Sequence, residues 1–232
     1  MQPEPEKMNT VLTTESTANN ISPVEQPLAA RLLARLVSWV FHPVFVPVYV
    51  MAFLIYEHPF QFTGFDPRQK LAVLLQSVAM YLFFPLVTVL LLKALGFIES
   101  IQLKKQKDRI IPLVACGVWY FWIWYVWHNL PGYPDAAIQF ALAIWISSWT
   151  GLMVNTRMKI SLHAISMGIA VSFLFLLAFT QTLNFGVYLS IAVFIAGLVC
   201  TARFIVSDHT PAEIYGGLVL GALSMAAAAV FG

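Results

Sequence analysis

Residues 162–181 read LHAISMGIAVSFLFLLAFTQ, about 20 residues without an Asp, Glu, Lys or Arg. The hydrocarbon core of a bilayer is about 30 Å thick, and a helix needs roughly 20 mostly apolar residues to cross it. Periodicity cannot separate helix from strand in so apolar a run, but its length does. Within lipid every backbone N–H and C=O must be bonded inside its own segment, so the run is a helix. Runs of the same kind occupy residues 33–56, 71–95, 110–127, 136–154, 185–204 and 214–231. The expected fold is therefore all-α, a polytopic transmembrane bundle of about six to seven helices.

The composition agrees, with 59% of residues hydrophobic and 10% charged. A soluble domain carries about 25% charged residues, so this chain is not one. A formal net charge of +2 gives no footprint for nucleic acid. Cys116 and Cys200 lie inside apolar runs and read as small buried hydrophobes. Residues 1–30 are polar, with no apolar stretch of signal-peptide type. They are expected to form a disordered tail ahead of a single helical domain, residues 31–232. Pro43, Pro47 and Pro85 fall inside runs and are expected to kink them. The Trp-rich stretch 119–127 is expected to form an interfacial aromatic belt that extends into a helix.

If every run crosses, the loops at residues 99–109, 155–159 and 207–210 share the side that holds the tail. Eleven of the 13 Lys and Arg residues then lie on that side, and only Arg68 and Lys70 lie opposite. The positive-inside rule assigns the tail and these loops to the cytoplasm. The chain is expected to be a multi-pass protein of the cell (inner) membrane.

Three short segments meet on that face. The first is Lys104-Lys105-Gln106-Lys107-Asp108-Arg109-Ile110-Ile111-Pro112, in which Lys105 and Arg109 share a helix face. The second is Lys159-Ile160-Ser161-Leu162-His163, and the third is Arg203-x5-His209-x3-Glu213. Guanidinium and ammonium groups clamp tetrahedral oxyanions. Of two imidazoles, one can attack phosphorus while the other protonates the leaving oxygen. A carboxylate beside the nucleophilic ring fixes its tautomer. Nothing in this set calls for a metal ion or another cofactor. Simpler roles exist too. Thr210-Pro211-Ala212-Glu213 reads as a capping box, Ser161 reads as a helix cap, and the lysines read as a basic loop beside headgroups. His42, before Pro43, is expected to satisfy a carbonyl freed by the kink.

These segments resemble the type 2 phosphatidic acid phosphatase superfamily, whose pattern is K-x6-R-P, then P-S-G-H, then S-R-x5-H-x3-D. The third segment keeps the spacing, with Ala202 for Ser and Glu213 for Asp. The second keeps Ser161 and His163, with Lys159 for Pro and Leu162 for Gly. The first keeps Arg109, with Gln102 at the lysine position and Pro112 two residues late. The resemblance covers about residues 104–213. It implies a membrane-embedded, metal-independent lipid phosphatase acting on a phosphomonoester or diphosphate of a lipid alcohol. His209 would be the nucleophile that forms a phosphohistidine, His163 the general acid, and Glu213 the group that orients His209. Arg109, Arg203, Ser161 and Lys105 would hold the phosphoryl oxygens. The family's site faces away from the cytoplasm, opposite to the side the charge count gives. The alternative is a non-catalytic relative that binds anionic lipid or a membrane-protein partner.

Overall fold

The structure is a computed structural model that describes residues 26–101, 103, 106–181, 183–207 and 209–232. Six helices among them are long and apolar enough to cross a membrane: Pro67–Ala94, Lys107–Asn129, Asp135–Asn155, Leu162–Thr180, Gly186–Val206 and Pro211–Phe231. In chain order the α-helical elements are α1 (Leu28–Val40), α2 (Val46–Ala52), α3 (Pro67–Val78), α4 (Phe84–Ala94), α5 (Ile110–Asn129), α6 (Asp135–Asn155), α7 (Leu162–Thr180), α8 (Gly186–Val206) and α9 (Pro211–Phe231). Large apolar side chains such as Trp122, Phe194, Val219 and Leu223 face outward. Lipid is their solvent, and the chain is a multi-pass integral membrane protein.

Local sequence explains the ends and irregularities. Asp66 caps α3 through a capping box with Gln69, and Pro67 occupies the first turn, where its missing N–H is no loss. Helices α3 and α4 form one span, joined by a π-helical turn at Ala79–Phe83. Pro85 cannot donate to the carbonyl four residues back, and the widened turn just before it absorbs that defect.

The apolar run at residues 33–56 is not one kinked helix. Helix α1 ends at Val40, and α2 resumes at Val46 and runs into a π-helical turn at Phe53–Glu57. Pro43 disfavours the helical conformation at His42, and the chain breaks there instead of bending. Its two ends are nonetheless pinned to the two ends of α7. The His163 Nε2–H donates to the Ser38 carbonyl at 3.0 Å. The His58 Nε2–H donates to Gln181 Oε1 at 2.7 Å, and Gln181 is the residue that closes α7. Residues 38–58 therefore reach from one end of α7 to the other, with α2 packed against α7 and α1 against α8. Helix α1 also begins earlier than expected, so Leu28–Ala30 of the expected tail are helical; residues 1–25 lie outside the described residues.

Helix α6 is the most enclosed span and packs against α5, α7 and α9. Its inner positions include Ala137, Ala141, Ala143, Ser147 and Gly151, small residues that let neighbouring backbones approach. The tightest crossing is α7 on α9. A Cβ at Gly217 would lie 2.8 Å from the Ser161 carbonyl oxygen, one at Gly221 2.2 Å from that of Ile165, and one at Gly168 2.2 Å from that of Leu218. Only glycine permits this approach.

The Trp-rich stretch is only partly a belt. Trp122 and Tyr125 face outward, whereas Trp127 is fully buried and its Nε1–H donates to Gln76 Oε1 at 3.0 Å. Cys116 and Cys200 are free and buried, as expected.

Candidate functional site

The crossing of α7 on α9 sets the second and third segments side by side. The Ser161 backbone N–H donates to the Glu213 backbone carbonyl at 3.2 Å, so the start of α7 is bonded to the first turn of α9. Thr210 caps α9, with Pro211 in its first turn and Glu213 completing a capping box. Glu213 Oε2 accepts from the Thr210 backbone N–H at 2.9 Å and also lies 3.1 Å from His209 Nδ1. A carboxylate can only accept here, so His209 donates from Nδ1 and its unprotonated Nε2 carries the lone pair. The His209 side chain is 3% exposed and that of Glu213 is 14% exposed.

Electrostatics act on His209 in both directions. Burial pushes its pKa below the ordinary 6.5, because low polarity disfavours the charged ring. The hydrogen bond to Glu213 opposes that shift, and the positive charges of Arg109 and Arg203 add to it. Arg203, in the last turn of α8, and Arg109 thus lie within electrostatic reach of His209.

Arg109 lies at the base of α5 and is 6% exposed. Its Nε donates to the Leu103 carbonyl and its Nη1 to the Ile160 carbonyl, each at 2.9 Å. The bond to Ile160 therefore ties the first segment to the second, while the bond to Leu103 holds the loop before it. Leu103 adopts φ 49°, a left-handed conformation uncommon for leucine, at the point where its carbonyl meets Arg109. Asn155 and Gln106 make a second tie, each side-chain amide donating to the other's backbone carbonyl. Lys105, expected to hold phosphate, lies outside the described residues, as do Gln102 and Lys104.

Ser161 is fully buried, and its Oγ accepts from the Ala164 N–H at 3.4 Å as the cap of α7. His163 sits in the first turn of α7. With Nε2 donating to Ser38, only Nδ1 remains to exchange a proton with a ligand. His42 does not serve a freed carbonyl. Its Nδ1 accepts from the Val44 N–H at 3.5 Å, and its ring meets that of His163 edge-on, with centroids 5.2 Å apart.

The structure thus gathers Arg109, Ser161, His163, Arg203, His209 and Glu213 at one end of the bundle. Sequence reasoning did not foresee Ser38 and His42 beside His163, nor the glycines that make the crossing. The signal for the glycines was present as Gly217-x3-Gly221, a spacing that lets two membrane helices meet closely. Among the described residues, no three His, Cys, Asp or Glu side chains are grouped so as to hold a metal ion. Set against models of known families, curated proteins and solved structures, the chain matches none of them.

Proposed function

We propose that this protein is a membrane-embedded lipid phosphatase resembling the type 2 phosphatidic acid phosphatases. Its substrate would be a phosphomonoester or diphosphate of a lipid alcohol. The observation that carries the reading is the contact of His209 Nδ1 with Glu213 at 3.1 Å, which leaves His209 Nε2 as a nucleophile beside two arginines. In the proposed reaction Nε2 attacks phosphorus and the P–O bond to the lipid breaks. The departing oxygen takes a proton from Nδ1 of protonated His163. Water, deprotonated by the same nitrogen, then attacks the phosphohistidine, releasing phosphate and regenerating His209. Arg109 and Arg203 neutralise the oxyanion charge throughout, so the reaction calls on no divalent ion.

Phosphate release from a panel of lipid phosphates by the detergent-purified protein tests this. Turnover is expected to persist in EDTA, to be blocked by vanadate, and to vanish in His209→Ala. Loss of turnover in EDTA with recovery on adding a divalent ion overturns the mechanism.

A second reading, a degenerate site that binds anionic lipid without turnover, is favoured by the engagement of His163 with Ser38 and of Ser161 with the start of α7. It predicts retention of the same lipids with no phosphate released.

A further inference from the structure

Alongside the histidine cluster, α2 with its π-helical turn, α7 and α8 line a cavity of about 220 Å³ that is open on its outer side, where Tyr49 and Ile191 are exposed. Its wall is apolar and includes Val46, Val50, Ala170, Ala192 and Ile195. It begins at Phe41, which precedes His42, and at Met167, about one helical turn from His163. Its polar wall atom at Tyr49 is already engaged, since the Tyr49 hydroxyl donates to the Val40 carbonyl at 3.1 Å. Along α7 the lining runs from Met167 to Leu174, a descent of about 10 Å at 1.5 Å per residue. At the far end Phe53 and Tyr188 meet edge-on, with centroids 5.0 Å apart. The same two rings bound a second cavity of about 250 Å³, lined also by Glu57, His58 and Asn184.

We propose that the first cavity holds the hydrocarbon chain of a lipid phosphate bound at His209, and that the Phe53–Tyr188 pair is its floor and limits chain length. The proposal rests on the phosphatase reading of the site. If phosphorus sits before His209 Nε2 and His163 protonates the departing oxygen, the chain leaves phosphorus on the His163 side. From there the next turn of α7 is Met167, where the cavity begins. The small side chains at Ala170 and Ala192 leave room between α7 and α8 for an unbranched chain. The break at residues 41–45, which sets α1 apart from α2, places Phe41 and Val46 at its mouth. The Phe53–Tyr188 pair then closes the first cavity off from the second, into which a longer chain extends only if one of the two rings is removed.

The test uses alkylphosphonates of graded chain length, which cannot be hydrolysed, so its result does not depend on turnover. They compete in phosphatidylcholine nanodiscs against a long-chain alkyl phosphate that carries a terminal photoreactive diazirine. Labelling is expected on residues lining the cavity, and Ala170→Trp is expected to suppress it. Compared at equal mole fraction in the bilayer, each added methylene is expected to tighten competition, by less than the roughly fourfold of a transfer from water because the bilayer already solvates the chain, until the floor is reached, after which affinity stops rising. In Tyr188→Ala, and separately in Phe53→Ala, the rise is expected to continue to longer chains. Val118→Trp, on the lipid-facing side of α5, is expected to leave the profile unchanged. Labelling spread evenly over outward-facing residues, or a plateau that neither floor variant moves, overturns the chain-binding proposal even if phosphate is released. A movable plateau in a protein that releases no phosphate upholds the cavity's occupant and overturns the phosphatase reading instead.

Discussion

Glu213 Oε2 accepts two hydrogen bonds at once, one from the Thr210 backbone that starts α9 and one from the His209 ring. The two roles separate in Glu213→Gln. A glutamine carbonyl still accepts from Thr210, so the thermal midpoint is expected to stay near that of the parent. It carries no charge to stabilise the histidine cation that forms as Nε2 bonds to phosphorus, so turnover is expected to fall by on the order of 10²- to 10⁴-fold. Equal turnover returns Glu213 to a purely capping role. The same residues set a pH dependence. His209 must be neutral to attack, and its folded pKa is held below 6.5, chiefly by burial. The neutral form therefore persists below pH 6.5, and the acid limb of the pH–rate profile is expected below that value. A limb at or above it contradicts the buried, neutral nucleophile. The third segment was readable in the sequence because Arg203-x5-His209-x3-Glu213 is local: a helix end, a short connection and a helix start. The Ser38 carbonyl on His163 was not readable, because it comes from a part of the chain that carries no spacing relation to the motif.

At the scale of elements, the α7–α9 crossing is what aligns the second and third segments. Gly221→Ala places a methyl group against the Ile165 backbone and is expected to cost about 1–3 kcal/mol, read as a lower unfolding midpoint in detergent. Activity is expected to fall with it, because parting α7 from α9 strains the bond from the Ser161 N–H to the Glu213 carbonyl. Gly197→Ala is the control. It has open space at its Cβ position, so it is expected to be neutral or to stabilise by up to about 1 kcal/mol. Equal behaviour of the two variants argues against the crossing as the organiser. Six of the seven apolar runs proved to lie in full spans, because length and backbone satisfaction in lipid suffice to define one. The first run broke instead of kinking, because Pro43 and Pro47 act within a few residues of each other and α7 supplies bonding partners for both halves. The π-helical turns had no signature in the apolar pattern beyond the proline that follows one of them.

At the scale of the whole molecule, six spans place the loops bearing Arg157 and Arg68 on opposite faces. Both residues are exposed, so single cysteines at these positions, in a background lacking Cys116 and Cys200, report topology. The excess of Lys and Arg on the site's side leads us to expect that an impermeant thiol reagent labels Arg68→Cys in intact cells and labels Arg157→Cys only after lysis. The reverse pattern places the site outside the cytoplasm, the side the family resemblance implies. Labelling of both in intact cells breaks the crossing count.

Helix α1 lies against α8, and the bond from His163 to the Ser38 carbonyl spans 125 residues of chain. Helix α1 leaves the ribosome well ahead of α8, so the surface it docks on does not exist until α8 has been made. Until then α2 has α3 to pack against, whereas α1, which carries Arg31 and Arg35, waits for its neighbour. Helix α1 therefore reaches its native contacts long after it is made, and the site, which draws His209 and Glu213 from the segment after α8, closes later still. A polypeptide stopped short of α8 leaves α1 without the helix it packs against, even with α2 already seated on α3 and α7.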